Sequence, residues 1–257
     1  MANVIEVSRL IKRYKNSPDP SVNNVSFAVG SGEFFSLLGP NGAGKTTTIS
    51  ILTTTLSKTS GLVKIAGLDI DRQSSAVRQK IGIIFQNPSL DPNLTAEENV
   101  RFHAALYDLY PYRPFYSLMP TDYKNQVTHL TSIIGLTASD LSKPVKALSG
   151  GMKRKLEIVR SLMHQPQILF LDEPTSGLDP LSRKNLWDYL TQIRKSNGTT
   201  IFLTTHYLEE AENSDTVCII KSGKIVALGS PAKIKKNFAG RHTTLESAYL
   251  KIIQDTN

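Results

Sequence analysis

The sequence predicts an α/β fold: a core of mostly parallel sheet, a smaller antiparallel β subdomain, and a helical lobe inserted into the core. Three observations lead there. Near-continuous apolar runs of strand length recur at "FFSLLG" (34–39), "KIGIIF" (80–85), "QILFLD" (167–172) and "TTIFLTT" (199–205). Parallel strands read this way because helices cover both of their faces. Helical patterns follow three of these runs, at 44–56, about 181–197 and about 207–213. Between residues 88 and 165 the strand signal disappears and helical periodicity replaces it.

Taken in chain order, residues 3–35 alternate apolar and polar with turn signals, the pattern of half-buried antiparallel strands. The run 34–39 is the first buried strand and leads through a glycine-rich turn into the helix at 44–56. "TAEENVRFHAALYDLY" and "NQVTHLTSIIGL" carry the helical period of the lobe, while "YPYRPFYSLMPTDY" (110–123) is too rich in Tyr and Pro for a helix and is expected to be irregular. After the strands at 167–172 and 199–205, "VCIIKSGKIVAL" (217–228) reads as a hairpin turning near Ser222-Gly223, assigned with residues 3–35 to the antiparallel patch. Residues 1–240 are expected to form one domain, with the lobe at about 88–165 inserted in it, and 241–257 a helical tail. There is no repeat on the scale of about 20–50 residues.

The composition, 40% hydrophobic and 20% charged over 257 residues, is that of a globular chain with ample core. No apolar run approaches the roughly 18 residues of a membrane span, and "MANVIEVSRLIKRYKNS" lacks the apolar stretch of a signal peptide. The single cysteine, Cys218, excludes an internal disulfide and a Cys-rich metal site, and its apolar setting predicts a buried thiol. These features predict a cytoplasmic protein. The net charge of +8 includes short basic clusters at 11–15, 153–155 and 233–236, a pattern that by itself leaves solvated surface, nucleic acid and an anionic membrane open; with the motifs below, no direct nucleic-acid contact is expected.

Gly39-Pro40-Asn41-Gly42-Ala43-Gly44-Lys45-Thr46 satisfies G-x-x-x-x-G-K-[ST] between a strand and a helix, the context that makes a phosphate-binding loop. The core is therefore expected to be that of a P-loop NTPase. Its glycines allow backbone N–H groups to wrap phosphate oxygens, Lys45 brings positive charge to the β- and γ-phosphates, and the Thr46 hydroxyl suits Mg²⁺. "ILFLDEP" (168–174) ends a strand in two carboxylates. Asp172 takes the Mg²⁺ role of a strand-end aspartate, and Glu173 is placed to orient or deprotonate an attacking water. His206 ends the strand "TTIFLTTH" and Gln86 ends "KIGIIFQ". The first is a candidate γ-phosphate sensor, and the second a candidate contact to Mg²⁺ or the water. No N-K-x-D tetrapeptide for guanine occurs, which favours ATP. A second phosphate seat opens at Ser149-Gly150-Gly151, where "LSGGMKRKLEIVRSL" (148–162) begins a helix with free N–H groups.

"GPNGAGKTT", Gln86, "LSGGM", "ILFLDEP", "SGLD" (176–179) and His206 stand in the order and spacing of the ABC-type ATPases. The resemblance runs from Tyr14 to about Gly229, and LSGG is its most specific element. "LSGGMKRKL", with Met152 in place of the commoner Gln, "FQNPSLDPNLTAEENVRFHAALY" and "TTHYLEEAE" resemble the nucleotide-binding subunits of multidrug, nodulation-factor and polysaccharide exporters. The resemblance implies a head-to-tail dimer in which each ATP is held between one P-loop, including Ala43 and Thr47, and the partner's Ser149, Gly150 and Gly151. It further implies that Tyr14 stacks on adenine, that Asp179 links the two sites, and that Gln86 senses Mg²⁺ and couples to a membrane permease. The chain would then lie at the inner face of the membrane, with the helical lobe carrying a groove for a short permease helix. An importer subunit, or a soluble ABC ATPase acting on nucleic acid or ribosomes, is the alternative. Gln86 and Ser149 are only about sixty residues apart with no heptad run between them, which argues against the coiled-coil DNA-repair class.

Overall fold

A computed structural model describes residues 2–15, 17–85, 89–238 and 244–255. They divide into two compact units, one of Met1–Ile81, Gln167–Glu173 and Gly198–Asn257, the other of Gly82–Pro166 and Pro174–Asn197.

In the first unit β1 (Asn3–Lys12), β2 (Val22–Gly30), β4 (Ser60–Ile65) and β5 (Leu68–Asp69) form an antiparallel sheet in the order β2–β1–β4–β5. Alternation buries Ile5 and Val7 and exposes Glu6 and Ser8. Leu10 is three residues beyond Val7 and would point the wrong way on a regular strand. A bulge between them, with Arg9 at φ +50°, returns Leu10 to full burial. The strands β4 and β5 had no counterpart in the sequence reading, although "VKIAGLDI" carries the alternation.

The larger sheet of this unit runs β10–β9–β3–β8–β7, built from β3 (Phe34–Leu38), β7 (Ile168–Asp172), β8 (Thr200–Thr204), β9 (Thr216–Lys221) and β10 (Lys224–Gly229). β3, β7 and β8 are buried at every position, as their unbroken apolar runs require. Phe27, Phe35, Phe202 and Phe170 form a ladder with ring centroids 5.2, 5.1 and 5.3 Å apart, locking register Phe35↔Phe202↔Phe170. One expectation is corrected. The 217–228 hairpin forms, but it does not join the antiparallel patch: β9 pairs in parallel with β3, and only β10 runs antiparallel. Val217, Cys218, Ile219 and Ile220 are all fully buried, so the strand has the two covered faces of a core strand. Burial pushes the Cys218 thiol up to about 12, which keeps it protonated and inert.

α1 (Lys45–Leu52) follows β3, α2 (Ser74–Lys80) follows β5, and α8 (Leu208–Ala211) follows β8. At the end of the chain α9 (Pro231–Phe238) and α10 (Leu245–Asp255) put Ile234, Leu245, Ala248 and Ile252 into one cluster with Leu38, Ala211, Val217 and Ile219. Glu212 ties them down by accepting from the Leu245 amide (2.9 Å) and from Lys235 Nζ (2.8 Å). Among the described residues no helix is long and apolar enough to cross a membrane.

The second unit opens with β6 (Ile81–Ile84), which starts on the last residue of the first, and is otherwise helical: α3 (Ala96–Leu106), α4 (Thr121–Ile134), α5 (Ala138–Leu141), α6 (Gly150–Leu162) and α7 (Pro180–Asn197). Thr95 and Glu98 close a capping box at the start of α3, where the Thr95 amide donates to Glu98 (2.8 Å) and the Glu98 amide to Thr95 Oγ1 (3.2 Å). α4 buries Tyr123, Val127, Leu130 and Ile134 on one stripe and stops at Gly135, which takes φ +73°. The Tyr/Pro stretch 110–123 is irregular up to one 3-10 turn at Tyr116–Leu118, and α4 claims its last three residues. It is held down by Tyr110 donating to Gln126 (3.0 Å), Lys124 donating to the Ser117 carbonyl (2.8 Å) and Tyr123 donating to buried Glu97 (3.0 Å).

Candidate functional site

The loop between β3 and α1 is shaped by its glycines. Gly42 and Gly44 take φ +79° and +104°, and a Cβ on Gly39 or Gly44 would lie 2.2 Å from the Ile220 carbonyl oxygen or 2.3 Å from that of Ser21. Only glycine fits there. Lys45 is nearly buried and donates from Nζ to the carbonyls of Gly39 (2.6 Å) and Pro40 (3.0 Å), so the loop curls around its ammonium. Desolvation lowers the Lys45 pKa, while the negative charges of Glu173 and Asp172 act on the same group in the opposite sense. The Thr48 hydroxyl and amide both return to the Gly44 carbonyl, at 2.8 and 2.9 Å, and pin the first turn of α1. Asn41 and Thr46 are exposed at the rim, Thr47 is half-buried and Ala43 is buried.

Asp172 ends β7 and is 5% exposed, with Oδ1 accepting from the Thr204 hydroxyl of β8, its register partner. Glu173 follows at φ +49°, a left-handed conformation costly for a residue with a Cβ, and its amide donates to the Thr204 carbonyl at 2.9 Å. That turn aims its carboxylate at His206, whose Nδ1 is 3.0 Å from Glu173 Oε1. The imidazole leans on Tyr207, ring centroids 4.0 Å apart, and remains half open to solvent. Tyr14 is 43% exposed, with Lys12 Nζ 5.3 Å from its ring centre and its hydroxyl 3.5 Å from Thr47 Oγ1. An exposed ring beside the P-loop helix is available for stacking.

The first unit thus brings together the P-loop, Asp172, Glu173, His206 and Tyr14. Ser149, Gly150, Gly151 and Asp179 belong to the second unit. Ser149 is the N-cap of α6 and accepts from the Met152 amide at 3.2 Å; Ser149 and Gly150 are exposed and the helix has no acid in its first turn. A Cβ on Gly151 would come within 3.0 Å of the Gly177 carbonyl oxygen of "SGLD". Asp179 accepts from the Ser182 hydroxyl (2.5 Å) and amide (2.9 Å) and lies 3.3 Å from Lys155. The Ser182 hydrogen bonds hold its carboxyl far below the usual range. Gln86 lies outside the described residues.

Among the described residues no group of three or more His, Cys, Asp or Glu side chains could hold a metal by itself. One buried carboxylate, Asp172, and one exposed hydroxyl, Thr46, are a donor set suited to Mg²⁺, which completes its shell with water and phosphate oxygens. Thr204 escaped the sequence reading. Its part depends on the pairing Asp172↔Thr204, which no local pattern announces.

The ABC transporter family profile matches residues 22–176. The probable multidrug ABC transporter ATP-binding protein YbhF of Escherichia coli (strain K12) is 37% identical over 98% of the chain, which spans 42% of that relative's length. The linearmycin resistance ATP-binding protein LnrL of Bacillus subtilis (strain 168) is 37% identical over 85% of this chain and 67% of its own. The Nod factor export ATP-binding protein I of Ralstonia nicotianae is 36% identical over 90% and 68%. Among solved structures, an ATP-binding subunit of an ABC transporter superposes with a TM-score of 0.86 at 29% identity, covering 97% of this chain and 99% of that one. The cassette MJ0796, solved as a post-hydrolysis dimer with ADP and Pi, gives 0.79 at 25% identity over 88% and 98%.

Proposed function

The chain belongs to the ABC transporter family, and we propose that it binds and hydrolyses ATP to drive an exporter through a separate membrane permease. The observation that carries the catalytic part is the 3.0 Å contact of His206 with Glu173, next to an Asp172 whose charge reaches Lys45. Glu173 is the general base for the attacking water. His206 holds that carboxylate in place and reads the γ-phosphate. The P-loop backbone N–H groups between Gly39 and Thr47, Pro40 having none, and the Lys45 ammonium bind the phosphates, and Tyr14 stacks on adenine. Thr46 and Asp172, with Gln86, would hold Mg²⁺, which would supply charge neutralisation for the phosphates.

The exporter assignment rests on the names of the relatives, which describe multidrug, linearmycin resistance and Nod factor export proteins. The chain has one P-loop and one LSGG, so a second copy or a second nucleotide-binding subunit supplies the Ser149-Gly150-Gly151 seat facing each ATP, with Asp179 beside it. The dimeric state of the MJ0796 cassette supports that arrangement. The permease places the subunit at the inner face of the membrane. Residues 1–240 are the catalytic domain in this reading, with 241–257 as its tail.

The test is ATP turnover by wild type and Glu173→Gln. The wild type hydrolyses ATP, and the variant binds it with similar affinity but turns over slower by a factor on the order of 10²–10⁴, the usual worth of a general base. Wild-type turnover in Glu173→Gln overturns the assignment.

A further inference from the structure

Arg154 lies on α6, one turn after Ser149, with its side chain 3% exposed. Its Nε donates to the Pro174 carbonyl at 3.0 Å, and one terminal nitrogen donates both to the Phe85 carbonyl and, at 2.8 Å, to Glu157 Oε2. Glu157 is fully buried on the same helix. Burial pushes its carboxyl above the ordinary range, against the pull of Arg154, Arg160 and a hydrogen bond from the Phe85 amide. A buried ion pair of this kind is a poor source of stability, since well-packed apolar residues usually do as well. What an arginine adds is a rigid planar fork whose separate nitrogens hold the two carbonyls and the carboxylate in fixed directions, where a lysine offers a single point charge on a flexible stem.

The two carbonyls are far apart in sequence but adjoin the chemistry. Phe85 directly precedes Gln86, and Pro174 directly follows Glu173. We propose that Arg154 is a positioning residue for ATP hydrolysis, fastening the backbone before Gln86 and the backbone after Glu173 to the helix that begins at Ser149. The inference rests on the proposed function. A shift of α6 or of the Phe85 segment then reaches the general base through one guanidinium, without any contact between Arg154 and nucleotide. The Glu157 carboxylate keeps that guanidinium oriented.

The test compares the full-length wild type with Arg154→Lys and Glu157→Gln by ATP turnover, equilibrium binding of ATP, and amide hydrogen exchange. Arg154→Lys is expected to lower kcat about tenfold with the dissociation constant for ATP within about twofold of wild type, the signature of a group that acts on the transition state rather than on binding. Peptides covering 81–85 and 175–180 exchange faster together. Glu157→Gln, which preserves the side-chain volume and serves as the second variant if Arg154→Lys does not fold, gives the same split at about threefold. Unchanged kcat in a folded variant, a parallel loss of ATP affinity, or faster exchange in only one of the two segments overturns the proposal. A wild type that does not hydrolyse ATP overturns the functional reading itself. Turnover that Glu173→Gln abolishes and Arg154→Lys leaves intact overturns the positioning role alone.

Discussion

His206 Nδ1 and Glu173 Oε1 meet at 3.0 Å because β7 and β8 are parallel neighbours that end side by side, and because Glu173 adopts a left-handed turn. A histidine that only filled space would be replaceable. As the group that holds the base, it is not. His206→Ala is expected to lower kcat on the order of 10²-fold while ATP affinity stays within about twofold. Steady-state kinetics with a separate binding titration checks this.

The phosphate loop separates two kinds of glycine. Gly44 combines φ +104° with a backbone oxygen 2.3 Å from the missing Cβ, whereas Gly42 has φ +79° and open space around it. Gly42→Ala therefore carries conformational strain alone, of about 1–3 kcal/mol. Gly44→Ala adds a clash with the Ser21 carbonyl, so its melting temperature falls further and ATP binding is lost. Thermal unfolding of the two variants, with and without ATP, reads both effects.

Ser149 caps α6 as well as offering its hydroxyl to solvent. Ser149→Ala is expected to cost about 1 kcal/mol of stability through loss of the bond to the Met152 amide. Denaturant unfolding measures it. Ser149→Asp, which restores a cap, recovers the stability but places a negative charge where a phosphate is expected, so turnover is not recovered.

His103 on α3 supplies a pH dependence. Desolvation first, then the positive charge of Arg160 and the proximity of His164, lower its pKa from 6.5 to about 3. In the unfolded chain this imidazole gains a proton below about pH 6.5, and in the folded chain it does not until about pH 3. Its contribution to stability is therefore present above pH 6.5 and is lost as pH falls from there towards 3, with a slope of up to about 1.4 kcal/mol per unit. His103→Gln should flatten the stability–pH curve over that interval. An unchanged slope would show that His103 titrates normally in the folded protein.

The parallel strands were legible because each is an unbroken apolar run, and the boundaries 34–39, 167–172 and 199–205 come within a residue or two of those of β3, β7 and β8. The lobe helices were legible from periodicity, whereas the capping box of Thr95 and Glu98 emerged only in the folded chain. The destination of the 217–228 hairpin was not. A hairpin reveals its own antiparallel pair, but whether "VCII" then lies against β3 depends on contacts about 180 residues away, such as Leu37↔Cys218. The site shows the same division. Glycine spacing identifies the P-loop because backbone geometry dictates it locally. Thr204 under Asp172 and Arg154 between Phe85 and Pro174 are visible only once the chain is folded, since nothing in a neighbouring residue type encodes them.

In the proposed dimer the Ser149 seat acts on ATP bound to another subunit. Light scattering with size-exclusion chromatography on the Glu173→Gln protein, with and without MgATP, tests it most directly. The expected result is a monomer without nucleotide, a dimer with MgATP, and loss of that dimer when Ser149→Arg is added. A protein that stays monomeric when saturated with ATP, or a dimer that persists unchanged with Ser149→Arg, would contradict it.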